Sequence, residues 1–280
     1  MSILSLANNS VTLMEGLQTA YYDSGESGSH LPADCAIVLL HGFCGSSAYW
    51  ENVVPKLEGL GRVIVPDLRG HGGSSAPSGE VYLMESFAED LSMLISQLQI
   101  EHICLFGHSL GGYVSLAFAE RYAHRLKSLS LIHSTALPDG ETARSNRDKA
   151  VQSIRENGIR PFVEGLVPKL FAPEHRESMA DRVQRMIEVG SGTSPEGASA
   201  TALGMKVRTD TRAVLAGLTV PRLLIAGAED GVIPTENTFT TEGPNVSQVL
   251  LSEVGHMGMI EKPDIVGERI SAFIRFLSTL

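Results

Sequence analysis

Cysteine is scarce in this chain of 280 residues, and its three copies are Cys35, Cys44 and Cys104. No two of them have the spacing of a metal site, and an odd, small number excludes the disulfide scaffolds of short secreted proteins. Reduced thiols are typical of the cytoplasm. We therefore expect a cytoplasmic protein whose fold depends on a buried core rather than on disulfides.

Long apolar runs and an excess of basic charge are also missing. The longest apolar run, residues 36–40, is too short to span a bilayer, and residues 1–6 lack the basic region and the apolar core of a secretory signal. Lys and Arg number 22 against 32 Asp and Glu, which gives a net charge of −10. We therefore expect a soluble protein that binds neither nucleic acid nor a membrane surface.

Apolar, partly β-branched segments recur along the chain and alternate with helical patterns. Such segments predict strands buried on both faces, and the alternation predicts an α/β fold with a mostly parallel central sheet flanked by helices. An N-terminal hairpin is predicted over residues 11–22. The remaining strands are predicted at residues 36–40, 62–65, 103–106, 126–133, 222–227 and 246–251. Helices are predicted at residues 46–57, 81–98 and 264–276.

The strand signal stops between residues 137 and 207. Four helical patterns replace it, and Pro161, Pro173 and Pro195 stand at predicted helix starts. They cover residues 146–157, 160–170, 174–189 and 196–207. We interpret residues 137–207 as a helical cap inserted into a core made of residues 1–136 and 208–280.

The most informative stretch is the hexapeptide Gly107-His108-Ser109-Leu110-Gly111-Gly112, which lies between a predicted strand and a predicted helix. Glycines on both sides of Ser109 allow the sharp turn that exposes a serine hydroxyl at the edge of the sheet. The loops after residues 36–40 and 62–65 should reach the same edge, where ligands of parallel sheets bind. We predict Ser109 as a nucleophile.

A serine hydroxyl is a poor nucleophile and needs a base that is oriented by an acid. His256 follows the last predicted strand and is favoured as the base because the expected chain order is serine, acid, histidine. His71, in an earlier loop, is the alternative. Asp230 is favoured as the acid, with Glu229 beside it as the next candidate. Asp139, which follows an earlier strand, stays open as the acid.

The tetrahedral intermediate of acyl transfer carries an oxyanion, which needs two N–H donors fixed in advance. The N–H of Leu110, directly after the serine, is one candidate. The N–H of Phe43, in the loop after residues 36–40, is the other. His41 and His108 adjoin the two glycine turns and are expected to brace them.

Five blocks of the sequence together resemble the α/β-hydrolase fold family, in order and over nearly the full length. They are His41-Gly42-Phe43, Asp67-Leu68-Arg69-Gly70-His71-Gly72, the Ser109 hexapeptide, Gly227-Ala228-Glu229-Asp230 with Pro234, and Gly255-His256. The similarity leans toward small-ester and lactone hydrolases such as the 3-oxoadipate enol-lactonases. The chain departs from haloalkane dehalogenases and epoxide hydrolases, in which an aspartate takes the position of Ser109.

This resemblance implies hydrolysis of a small ester or lactone through an acyl-enzyme, with no metal and no organic cofactor. Phe162, Leu166 and Leu170 of the predicted cap are candidates for the substrate pocket. The alternatives left open are hydrolysis of a carbon–carbon bond or perhydrolysis with the same triad, and a ligand-binding receptor of the same fold with negligible turnover.

Overall fold

The computed structural model describes residues 5–25 and 28–279, and the described chain forms one sheet of eight strands in the order β1-β2-β4-β3-β5-β6-β7-β8. Strands β3 to β8 are mutually parallel, whereas β1 and β2 pair antiparallel. This confirms the predicted α/β architecture. The strands are β1 Asn9–Thr12, β2 Gln18–Asp23, β3 Cys35–Leu40, β4 Arg62–Pro66, β5 His102–His108, β6 Leu126–Ile132, β7 Arg222–Gly227 and β8 Val246–Leu251.

Twelve α-helices are present among the described residues, and several of them cover the two faces of the sheet. They are α1 Val54–Leu57, α2 Met84–Gln97, α3 Leu110–Tyr122, α4 Glu141–Asn157, α5 Ile159–Leu166, α6 His175–Ser178, α7 Ala180–Ser191, α8 Pro195–Val207, α9 Arg212–Gly217, α10 Thr235–Thr238, α11 Gly258–Glu261 and α12 Pro263–Leu277. No described helix is long and apolar enough to cross a membrane.

Alternate side chains of the central strands enter two separate hydrophobic clusters. In β3, Ile37 and Leu39 pack with α1 and α12, whereas Val38 and Leu40 pack with α2 and α3. Successive strand residues point to opposite faces, so a strand covered on both sides must be apolar throughout. All of β3 and all of β7 are buried, as the uninterrupted apolar runs predict.

Two predicted helices are wrong in extent because proline interrupts them. Residues 46–57 form a 3₁₀ turn, Ser47–Trp50, followed by the short α1, whose second residue is Pro55. Residues 160–170 divide into α5 and a 3₁₀ turn that contains Pro168. A proline inside a helix removes a backbone donor and clashes with the preceding turn, so each segment breaks close to its proline. The helix predicted over 174–189 is also divided, into α6 and α7, although no proline lies in that segment.

Helices α4 to α8 form an inserted helical segment between β6 and β7. Helix α9 follows them and packs against α3 of the sheet layer. The boundaries of a separate cap at residues 137 and 207 stay a prediction. The carboxyl ends of β3, β5, β6 and β7 lie at one edge of the sheet, where the loops that carry the predicted site residues begin.

Candidate active site

Ser109 occupies a strained turn between β5 and α3. Its φ of 50° and ψ of −113° lie outside the regions that non-glycine residues normally adopt. A Cβ on Gly107 would lie 2.3 Å from the carbonyl oxygen of Gly111, so the chain can cross itself here only with glycine. The Ser109 N–H donates to the Ile132 carbonyl at 3.1 Å, and the Ser134 hydroxyl donates to the Ser109 carbonyl at 2.7 Å. The end of β6 therefore holds the turn in place.

His256 and Asp230 are hydrogen-bonded to each other and almost completely buried. His256 Nδ1–H donates to Asp230 Oδ2 at 2.8 Å, and Asp230 Oδ1 accepts the backbone N–H groups of Val232 and Ile233 at 2.8 and 2.9 Å. Burial acts to raise the pKa of Asp230, but its interactions with His256 and His133 outweigh burial and the net pKa is lowered. Asp230 is therefore a carboxylate that fixes the His256 ring with Nε2 on its free side.

One small cavity, of about 60 Å³, lies next to both the nucleophile candidate and the proposed base. Ser109 and His256 both contribute to its wall, and Phe43 of the loop after β3 also lines it. Leu166 and Leu170, two of the predicted pocket residues, line it from the insertion. Phe162 is not in the cavity wall; its ring packs edge-on against Phe43, with the centroids 6.1 Å apart.

The two predicted oxyanion donors, the N–H groups of Phe43 and Leu110, donate to no described residue. Leu110 begins α3, so its N–H has no partner within the helix. The loop of Phe43 is fixed by His41, whose Nδ1–H donates to the Gly42 carbonyl at 2.8 Å and whose Nε2 accepts the Leu68 N–H at 2.9 Å. The two donors are thus free, and the loop that carries Phe43 is held from both sides.

Asp67 ties the loop after β4 to the loop after β3. Its buried carboxylate accepts the N–H groups of Ser47 and Gly73, each at 2.7 Å, and the Ser5 hydroxyl at 2.7 Å. A Cβ on Gly72 would lie 2.3 Å from Asp67 Oδ2, and Gly72 has a φ of 52°. The Asp-x-Arg-Gly-x-Gly block therefore supports the site without lining the cavity.

His71, the alternative base, lies outside the cavity that Ser109 lines. Its Nδ1–H donates to the Arg69 carbonyl at 2.9 Å, and its ring lies 5.3 Å from that of His41. Complete burial, reinforced by the nearby His41, lowers the pKa of His71 to about 3. A neutral imidazole with this environment has a packing role in the loop.

We expect His71 to make the fold sensitive to acid. The unfolded chain takes up a proton near pH 6.5, but the folded chain does so only near pH 3, so stability falls as pH drops below 6.5. Between pH 7 and 5 the loss from this residue is about 2 kcal/mol. In His71→Asn the free energy of unfolding should fall by about 2 kcal/mol less between pH 7 and 5 than in the unmodified protein. The Asn amide can still donate to the Arg69 carbonyl.

Urea unfolding at pH 7 and at pH 5 measures the effect, with exposed His124→Asn as the matched control. A variant that keeps the full pH dependence of the unmodified protein would contradict the assignment of a neutral, buried His71.

The other two acid candidates do not reach His256. Asp139 is buried between Arg147, whose Nε donates to it at 3.0 Å, and Arg208, whose Nη1 also donates to it. Glu229 is exposed. Of the three acids that the sequence left open, only Asp230 contacts the histidine.

Glu261 is a supporting residue that the sequence analysis missed. Its buried carboxylate accepts the N–H groups of Gly255, Met257 and Ala172 at 3.0, 3.1 and 2.9 Å, and His175 Nδ1–H donates to it at 2.7 Å. It thereby holds the loop on both sides of the predicted base to the insertion. An acidic residue five positions after His256, directly after the apolar residues 257–260, is the only signal that the sequence offers.

Backbone contacts of His256 strengthen the same connection. Its N–H donates to the Leu170 carbonyl at 2.7 Å, and its carbonyl accepts His108 Nε2–H at 2.9 Å. His108 therefore braces the loop of His256 as well as the serine turn. His133 lies behind the pair, with Nδ1 at 3.5 Å from Asp230 Oδ2 and with both ring nitrogens buried.

One group of side chains among the described residues has the spacing of a metal site: Asp34, Glu101 and His102. It lies at the start of β5, at the opposite end of that strand from Ser109. It has no connection to the cavity.

Comparison with known proteins identifies the family. The alpha/beta hydrolase fold family matches residues 36–263. The chain is 31% identical to a thermophilic esterase from Thermogutta terrifontis, with a TM-score of 0.87 and coverage of 96% of this chain and 98% of that one. It is 26% identical to 3-oxoadipate enol-lactonase 2 of Acinetobacter baylyi over 241 residues, 86% of this chain and 88% of that protein.

A longer relative covers the same region. The dihydrolipoyllysine-residue acetyltransferase component of the acetoin cleaving system of Pseudomonas putida is 33% identical over 254 residues. The match takes in 90% of this chain but only 65% of that relative, so the chain spans less than two thirds of it. The family match, the sheet order and the serine turn agree, and the chain belongs to the alpha/beta hydrolase fold family.

Proposed function

We propose that the protein is a serine hydrolase that cleaves a small carboxylic ester or lactone through an acyl-enzyme. The observation that carries the proposal is the shared cavity: Ser109, in its strained turn, lines the same space as His256, and His256 is hydrogen-bonded to a buried Asp230. A nucleophile, a base and an orienting acid in this arrangement are the requirement for acyl transfer.

In the proposed reaction Ser109 Oγ attacks the carbonyl carbon while His256 Nε2 accepts its proton. Asp230 accepts the Nδ1–H of His256, which keeps the proton-accepting nitrogen on the side of the cavity and stabilises the imidazolium once it forms. Because the pKa of Asp230 is lowered, its carboxylate stays ionised at neutral pH.

The N–H groups of Phe43 and Leu110 hold the oxyanion of the tetrahedral intermediate. Both are free of partners among the described residues, so no hydrogen bond has to break before they act. His256 then protonates the leaving alcohol, and a water molecule that it deprotonates attacks the acyl-enzyme carbonyl. The collapse of this second intermediate releases the acid and restores Ser109.

The proposed substrate class draws on the relatives as well as on the cavity. The Thermogutta relative is an esterase and the Acinetobacter relative is an enol-lactonase. Leu166 and Leu170 give the cavity an apolar wall on the side of the insertion. We propose that the insertion selects the substrate while the edge of the sheet supplies the chemistry.

A fluorophosphonate probe tests the nucleophile. We expect one phosphonylated peptide, modified at Ser109, and no labelling of a His256→Ala variant on the same time scale, because the hydroxyl then lacks its base. Peptide mapping by mass spectrometry gives the position. Labelling at another serine would overturn the assignment.

A substrate panel tests the reaction class. We expect turnover of p-nitrophenyl acetate and of short esters or lactones, and none of vinylogous diketones. Cleavage of the diketones alone would favour carbon–carbon hydrolysis. A protein that is phosphonylated but turns over nothing in the panel would favour the receptor.

A further inference from the structure

The wall of the cavity contains one cationic side chain. Arg147, on α4 of the insertion, lines the same space as Ser109 and His256. Apart from the two histidines, the other residues of the wall are uncharged, among them Tyr49, Tyr113 and Met205. The Arg147 side chain is 24% exposed, so it is partly shielded from water where it lines the cavity. A cation in this position needs an anionic partner or a specific role.

The hydrogen bonds of Arg147 leave most of its donors unused. Its Nε donates to Asp139 Oδ2 at 3.0 Å, but neither Nη1 nor Nη2 donates to any described residue. A guanidinium carries five N–H groups, four of them on these two nitrogens. The bond to Asp139 fixes the position of the side chain while leaving the Nη groups available.

Asp139 does not neutralise this region, because it is shared with a second arginine. Arg208 also pairs with Asp139, donates to the carbonyls of Leu137 and Met205 at 3.0 Å each, and lies 3.8 Å over the ring of Tyr113. Two guanidinium groups against one carboxylate leave a charge of about +1. Both Nη groups of Arg208 have acceptors, so Arg147 is the arginine with free Nη donors.

The positive charge of Arg147 also acts on the thiol of Cys44. This residue directly follows Phe43, whose N–H is a proposed oxyanion donor. Burial raises the pKa of the Cys44 thiol, and the positive charge of Arg147 opposes that rise. This agrees with the cavity wall, in which Arg147 and Phe43 of the loop after β3 both take part.

We propose that Arg147 binds a free carboxylate on the substrate, so that the preferred substrates are monoesters of short dicarboxylic acids or acyl esters of short hydroxy acids. This inference rests on the proposed function. A planar guanidinium with two unused Nη groups matches a carboxylate in a bidentate geometry. The Nη groups that have no acceptor in the free protein then gain one in the complex.

Two pairs of esters of equal size test the charge. Monomethyl glutarate is compared with methyl 5-methylhexanoate, and 3-acetoxypropanoate with isopentyl acetate; in each pair an isopropyl group replaces the carboxylate. Acid release is followed in a pH-stat. We expect kcat/KM for the acid to exceed that for its neutral counterpart by about 10- to 100-fold in at least one pair, as a charge-assisted bidentate contact supplies.

Arg147→Met should abolish this preference. The measured quantity is the ratio of kcat/KM for the acid to kcat/KM for the neutral ester within one variant, so any loss of activity common to both esters cancels. Arg144→Met is the matched control, since it removes the same charge from an exposed position three residues earlier on α4. Its ratio should equal that of the unmodified protein. Equal rates for acid and neutral ester in both pairs, or a preference that survives Arg147→Met, would overturn the inference.

Binding to the Ser109→Ala variant, measured by calorimetry, separates this inference from the proposed function. If the unmodified protein hydrolyses none of the four esters and nothing in the panel of short esters and lactones, the proposed function fails. The anion site still stands if the variant binds the acids more tightly than the neutral esters and loses that difference when Arg147→Met is added. If acid and neutral ester bind equally, the anion site fails even where ester hydrolysis is observed.

Discussion

Ser109→Ala is expected to lower kcat for p-nitrophenyl acetate by about 10⁶-fold, the scale of loss when a serine protease loses its nucleophile. The covalent route closes, and only binding and the oxyanion donors of Phe43 and Leu110 remain to accelerate attack by water. Initial rates with stoichiometric enzyme can follow residual turnover of this size. The fluorophosphonate probe should leave this variant unmodified.

Ser130→Ala is the matched control for this experiment. Ser130 is buried in β6, and its hydroxyl has no hydrogen-bond partner among the described residues. The variant should keep its activity, because the substitution removes an unpaired hydroxyl that is not part of the cavity wall. If Ser109→Ala retained more than about a hundredth of the activity, the acyl-enzyme route would be wrong. Loss of general-base catalysis alone costs on the order of 10²- to 10⁴-fold. Loss of the nucleophile also closes the covalent route, so it must cost at least as much.

Asp230→Asn is expected to lower kcat by about 10³- to 10⁴-fold, as in the serine proteases. An amide at this position can donate to His256 Nδ1, which would turn the imidazole into the tautomer that carries its proton on Nε2. That tautomer cannot accept the proton of Ser109. The loss should appear in kcat with a smaller change in KM, and circular dichroism should show an intact fold.

Asp139→Asn supplies the contrast. It leaves the bond between Asp230 and His256 intact, so kcat for a neutral acetate ester should stay within about tenfold of that of the unmodified protein. Its effect should fall on stability instead, because a buried carboxylate shared by Arg147 and Arg208 is lost. The opposite ranking of the two variants in kcat would move the acid to Asp139.

The candidate triad was predictable because each member has a local signature. Ser109 lies in a glycine-flanked turn between an apolar strand and a helix, Asp230 follows the buried β7, and His256 follows β8, an edge strand that is largely exposed. Parallel strands bring their carboxyl ends to one edge, so a one-dimensional pattern becomes a three-dimensional site. The choice between Asp230 and Asp139 needed the structure, since both follow a strand and only distances separate them.

Other parts of the site have no local signature. Arg147 is one of several arginines in a polar helical stretch, and its place in the cavity wall depends on how α4 packs over the sheet. Glu261 acts through the backbone of Ala172, which lies 89 residues earlier in the chain. Phe162 has the right residue type for a pocket, but its ring packs on Phe43 and it is not part of the cavity wall.

The contact between the His256 N–H and the Leu170 carbonyl has a consequence for the evolution and engineering of this protein. The segment that shapes the substrate space also carries an acceptor that anchors the proposed base, and Glu261 joins the two a second time through Ala172. The same backbone groups therefore affect both substrate selectivity and turnover. An insertion transplanted from a relative will bring new specificity only if its backbone takes the same position beside the loop of His256. Recombination at this segment should therefore yield many inactive chimaeras and few with altered specificity.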